Sequence, residues 1–141
     1  MDKKKLMQYR ALVREIPKLA KDINKLYERL DEVPVVSGKV TGSSKDFPYT
    51  EVRTTVQMVE PKAAAEIRKQ ISIKERRRDN VEQEKTDIEK FIADISDSTD
   101  RLIFDYAFLN EKRMSQSKIG EAVGCDQSTV SRTIKKYLKD A

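Results

Sequence analysis

Apolar residues near the start of the chain recur at spacings of three and four: Tyr9, Leu12, Ile16, Leu19, Ile23, Leu26, Leu30 and Val33. This is the heptad pattern of an amphipathic helix. Such a helix spans about 40 Å at the usual rise per residue. Its charged side cannot form a core, so the apolar stripe needs a partner. Pro17 falls inside the pattern, where an uninterrupted helix loses about 3 kcal/mol. Because the apolar phase continues past it, the expectation is a kink near Val13–Pro17 and not two helices. A second stripe, Ala64, Ile67, Ile71, Val81, Ile88, Ile92 and Ile95, holds the same phase after Pro61, itself suited to a first helical position. Lys74, Arg78 and Lys85 stand at stripe positions, so the seam should open there to solvent or to acidic partners.

Between the stripes the period changes to two. Val52, Thr54, Val56 and Met58 alternate with Glu51, Arg53, Thr55 and Gln57, which predicts a half-buried strand. Val35–Val40 is its expected partner in a small β-ribbon over about 35–60, with Phe47, Pro48 and Tyr49 in the connection.

After Ile95 short segments follow one another. Ser96, Asp97, Ser98, Thr99 and Asp100 are N-cap types. Leu102, Ile103, Tyr106, Ala107 and Leu109 give the next helix its expected core face, and Asn110–Arg113 forms a polar turn. Ser115 is placed to cap a helix over 116–123, with Ile119 and Val123 inward, and Gly124 to end it in a left-handed conformation. Asp126 is placed to cap a last helix over 127–138, with Val130, Ile134, Tyr137 and Leu138 as its buried stripe. Gly120 stands where a side chain would collide with the neighbouring helix.

The expected fold class is therefore mainly α. A long antiparallel, coiled-coil-like helical hairpin with a β-ribbon insertion occupies 1–95, and a three-helix helix-turn-helix domain occupies 96–141. Composition agrees: of 141 residues, 38% are apolar and 38% charged, which suits long solvated helices.

Charge adds a direction. The net charge is +5, a mild excess whose distribution is more telling. Residues 1–33 hold nine basic and six acidic residues, and 34–60 hold three of each. Residues 61–95 hold nine against eight, while in the last fifteen Arg132, Lys135, Lys136 and Lys139 face only Asp140. With one cysteine and no histidine, disulfide frameworks within one chain, zinc sites and Ser-His or Cys-His nucleophile pairs are excluded. No cofactor, metal or catalytic residue is expected, and an enzyme is not. Lys3, Lys4 and Lys5 precede no apolar run that would make a signal peptide. Nothing nears the ~18 apolar residues of a membrane span. A reducing cytoplasm is the expected location.

The outer side of the last helix carries the candidate chemistry. Gln127, Ser128, Thr129, Ser131, Arg132, Lys135, Lys136 and Lys139 are the candidate DNA-binding residues. Gln pairs bidentately with adenine and Arg with guanine. Thr129 and Ser131 can bond to phosphate, and the lysines suit the phosphate backbone, giving affinity without sequence choice. No acid falls between Gln127 and Lys139. The plain alternative is a three-helix packing unit with a basic outer side.

Residues 97–138 resemble the fourth region of bacterial sigma factors. The whole chain resembles the RinA/ArpU-type phage transcriptional regulators of Gram-positive hosts. The resemblance rests on Tyr9-Arg10 opening a heptad helix and on the central Gly42-Ser43-Ser44-Lys45-Asp46-Phe47-Pro48-Tyr49-Thr50. Its third element is the lead-in Phe91-Ile92, Asp97-Ser98, Arg101 and Ile103. It implies control of phage late genes by sequence-specific binding to double-stranded DNA near their promoter. Thr133 departs from the sigma pattern by standing at a usually aliphatic position, which would rotate the last helix slightly.

Two other functions fit parts of this pattern. A phage terminase small subunit also joins a DNA-binding helix-turn-helix to an oligomerising hairpin, but assembles as a ring. A coiled-coil interaction protein would use the stripes and leave DNA alone. Ser37-Gly38-Lys39 matches only part of a phosphate loop, with Val33 where the first glycine belongs. Arg76-Arg77-Arg78 is expected as a solvated helix face, with DNA flanks or RNA polymerase as the alternative contact, and Cys125 as a core filler. The apolar stripes predict a homo-oligomer, expected as a dimer.

Overall fold

The computed structural model describes residues 1–34 and 61–138. The expected β-ribbon and the candidate Lys139 lie outside these residues. The described chain is mainly helical: α1 (Lys3–Met7), α2 (Tyr9–Glu32), α3 (Lys62–Ala93), α4 (Ser98–Phe104), α5 (Gln116–Val123) and α6 (Gln127–Tyr137). A π-helical turn (Asp105–Leu109) continues α4. α2 is not split at Pro17. The interruption falls earlier, at Gln8, after an α1 whose N-cap Asp2 accepts from the Lys5 amide.

Packing divides the chain into two compact units, Met1–Ala20 with Arg76–Ala141, and Lys21–Glu75. In the first, the early part of α2 and the late part of α3 run in opposite directions. The Tyr9 hydroxyl donates to Glu89 at 2.6 Å, while Ile16 and Pro17 flank Glu82, Lys85 and Thr86. Leu6, Tyr9, Leu12 and Leu19 share one core with Val81, Ile88, Ile92 and Ile95 and with Ile103, Phe104, Phe108, Ile119, Val130, Ile134 and Leu138. The segment after Ile95 thus has no core of its own; it shares one with the ends of the long helices.

In the second unit Leu26, Ile67 and Ile71 are buried, with Leu30 and Val33 packed against them. Asp22, earlier on α2, meets Lys74, later on α3, at 3.5 Å. All seven residues of the second stripe, six of them on α3, are buried. The three cations in that stripe are half-buried and each reaches an acid: Lys74 meets Asp22, Arg78 meets Asp79 at 3.6 Å, and Lys85 meets Glu89 at 3.2 Å. Only the Lys74–Asp22 pair joins α2 to α3; the other two lie along α3 itself.

Candidate nucleic-acid interface

The platform beneath α6 is built around Phe104, which is fully buried. Its ring lies 6.2 Å from Phe91, 5.6 Å from Phe108 and 5.5 Å from Tyr137, the first and last edge-on, the favourable geometry for aromatic pairs. The core face expected on this helix needs correction. Ile103, Phe104 and Phe108 are buried, Leu102 is 45% exposed, and Tyr106, Ala107 and Leu109 are half-buried. From Asp105 onward the π-turn contributes: its wider winding, with the Asn110 amide bonded to the Asp105 carbonyl five residues back, breaks the regular α-helical phase.

Two arginines hold chain ends onto this platform. Arg10 of α2 donates to the carbonyls of Asn110 at 2.6 Å and Ala107 at 3.0 Å, satisfying acceptors that a helix end leaves open. Arg101 does the same for Ile95 at 2.7 Å. Burial, then repulsion from Arg113 and Arg14, lowers the Arg10 pKa.

α5 begins at Ser115, whose hydroxyl accepts from the Lys118 amide at 3.3 Å. It ends at Gly124, which is left-handed at φ +86°. The amides of Gly124 and Cys125 both bond to the Gly120 carbonyl, at 2.7 and 2.8 Å. This closes the chain tightly enough that a Cβ on Gly120 would lie 2.5 Å from the Cys125 carbonyl oxygen. The obstacle at Gly120 is therefore the backbone of the turn, not the following helix. Asp126 takes the N-cap position of α6 without a side-chain bond. Cys125 is half-buried.

α6 buries Val130, Thr133 and Ile134, and Leu138 just beyond it is also buried. Thr133 joins the inward row with Ile134, so the polar residue is absorbed at an i, i+3, i+4 position. Gln127, Ser128, Thr129, Arg132, Lys135 and Lys136 are exposed, and Ser131 is half-buried at the edge of that side. Arg132 donates to the Ser128 hydroxyl at 3.3 Å, and the Ser117 hydroxyl of α5 donates to Gln127 at 3.3 Å. The candidates on the described part of α6 thus form one polar, cationic surface.

One acid modifies it. Asp100 accepts from the Tyr137 hydroxyl and lies 3.8 Å from the Lys136 ammonium. The bond from Tyr137 to this carboxylate, then burial, pushes the phenol up to about 12. Lys136 also sits over the Tyr137 ring, 5.3 Å from its centre. Its charge is partly answered within the protein, whereas neither Lys135 nor Arg132 has an acidic partner among the described residues. The sequence reading missed Asp100, thirty-six residues away from Lys136, because only the packing of α4 on α6 brings them together.

No family model, no curated protein and no solved structure matches this chain. Among the described residues, no group of three or more acidic or cysteine side chains is arranged to hold a metal. No helix there is long and apolar enough to cross a membrane.

Proposed function

We propose that α5 and α6 act as a helix-turn-helix that binds double-stranded DNA by sequence, with α6 in the major groove. The observation that carries this reading is the division of α6. Val130, Thr133 and Ile134 are buried, while Gln127, Ser128, Arg132, Lys135 and Lys136 are exposed with no acid on the helix. The left-handed turn at Gly124 supplies the short reversal such motifs use. Gln127 and Ser128, at the N-terminal end of α6, and Arg132 are the base readers. Thr129, Ser131, Lys135 and Lys136, with Lys139, hold the phosphate backbone, Lys136 more weakly because Asp100 competes for it.

The likeness to RinA/ArpU-type regulators supplies the biological setting: a phage or prophage regulator of late genes, acting in the cytoplasm of a bacterial host as a homo-oligomer. In a dimer the two copies of α6 would address half-sites about 34 Å apart. RNA polymerase is a further proposed partner.

Selection of bound fragments from a random duplex pool, followed by footprinting, tests this. A recovered motif whose affinity falls steeply with salt is the expected result. Replacing Arg132 with Ala should cost about 1–3 kcal/mol on the selected site and relax preference at one position, whereas Lys135→Ala should weaken all duplexes alike. Failure to retain any duplex at low salt would end the proposal. Mass measurement separates a dimer from the ring of a terminase small subunit.

A further inference from the structure

We infer that the recess framed by α1, the π-turn and the start of α5 binds a small organic anion, a carboxylate or phosphate head on a compact apolar body. The recess is a cavity of about 170 Å³. A cavity of about 150 Å³ accommodates a benzene-sized molecule. Its apolar lining includes Phe108, Ile119 and Ile134, and its cations are Lys3, Arg10 and Arg113. Among the described residues, no acid lines it.

The two halves of this lining select the ligand together. Like charges gathered without a counter-charge repel one another, and a bound anion relieves that repulsion. Lys3 and Arg113 have no acidic partner among the described residues, and Arg10 is directed to the carbonyls of Ala107 and Asn110. Glu111, two residues before Arg113, lines a separate recess with Arg10 and Arg14. A bare inorganic anion would satisfy the cations and leave the apolar lining wet. A neutral hydrocarbon would fill the lining and leave the cations unanswered. Only a ligand with both parts uses the whole cavity, which is the usual division of labour in small-molecule sites. The inference is independent of the DNA reading, since nothing in it uses the outer side of α6.

The test is an amide NMR titration of the full chain with sodium benzoate, alongside benzyl alcohol and inorganic phosphate. Benzoate should give saturating shifts at 107–108, 113–119 and 134, and bind at least about fivefold more tightly than either comparison. That margin corresponds to the net worth of one interaction of ordinary strength. Arg113→Gln should weaken benzoate about tenfold, the loss typical of a hydrogen bond to a charged group, with an unchanged melting temperature. Lys3→Gln, at an exposed position, provides a second variant if Arg113→Gln is unstable, and should weaken benzoate in the same sense. Non-saturating shifts overturn the inference, and so does phosphate binding as well as benzoate, which marks an ion-exchange surface. Equal binding of benzyl alcohol marks a mere apolar void and also overturns it, as does unchanged affinity in the variants.

Discussion

The two compact units draw on the same two long helices, yet their cores differ in kind. In the first unit the stripes of α2 and α3 meet a further layer made by α4, the π-turn, α5 and α6, and an aromatic cluster around Phe104 fills the space. In the second, the described core is an aliphatic cluster of Leu26, Ile67 and Ile71 with Leu30 and Val33 at its edge. Exposed large apolar residues occur in both, Met7, Val13 and Leu102 in the first and Tyr27 and Ile73 in the second. Both stretches have equally regular heptads in sequence. The difference lies in what covers them: a stripe against a stripe makes a narrow seam, and only an added layer makes a core several side chains deep.

Breaking the aromatic centre should have the largest effect. Phe104→Ala should cost about 3–5 kcal/mol in denaturant unfolding. It should release amide protection in α4, α5 and α6 together. A loss under about 1 kcal/mol would remove the contrast between the units. Ile71→Ala should fall at the low end for a buried aliphatic, about 2 kcal/mol. Its faster amide exchange should be confined to 21–33 and 61–75, leaving α6 protected; equal acceleration throughout would show the two units to be one cooperative body.

Next come the glycines of the α5–α6 turn. Gly120→Ala should cost about 1–3 kcal/mol, because a Cβ there must displace backbone. Gly124→Ala should cost about 1–2 kcal/mol through its left-handed backbone alone, since a Cβ there meets nothing within 4 Å. Denaturant midpoints would rank the two, and the reverse order would mean that the turn yields more easily than the left-handed conformation does.

The smallest expected effect is pH dependence at the Tyr9–Glu89 bond. That bond, helped by Lys85 and opposed by burial, holds Glu89 below its ordinary 4.5. Its stabilisation is present above that value and is lost as pH falls through the lowered one. Burial, then the Glu89 bond, pushes Tyr9 from 10.0 up to about 12. Its stabilisation is complete below 10 and fades as pH rises towards 12. Tyr9→Phe should therefore flatten both arms of a stability–pH curve, leaving on the alkaline side the part due to Tyr137 and Asp100. An unchanged acid arm would show that the bond contributes nothing measurable.

Periodicity made the long helices legible, since a 3.6-residue repeat places Ile67, Ile71, Val81 and Ile88 on one side whatever packs there. On the next helix it found Ile103 and the half-buried Tyr106, Ala107 and Leu109 but missed Phe108, because the π-turn changes the number of residues per turn and no residue in Asp105–Leu109 advertises that. The placement of Lys74, Arg78 and Lys85 on an apolar stripe was visible, and Asp79 and Glu89 stand near enough in sequence to meet Arg78 and Lys85 along one helix; the meeting of Lys74 with Asp22 was not visible, because it depends on how α2 and α3 pack.

The amino-acid sequence by itself determined where helices begin and turn: Asp2, Asp97 and Ser115 cap because their short side chains reach nearby amides, and Gly124 reverses the chain because a residue without a Cβ takes the left-handed conformation without strain. It also set the two sides of α6, since an 11-residue helix with apolar residues at 130 and 134 must turn Ser128, Arg132 and Lys135 outward. Tertiary structure alone decided that Phe104 is the centre, that Arg10 fastens α2 to the π-turn, and that Asp100 tempers Lys136. The Asp100–Lys136 and Arg10–Asn110 pairings join residues 36 and 100 positions apart, and only the folded chain brings them within the few ångströms over which they act.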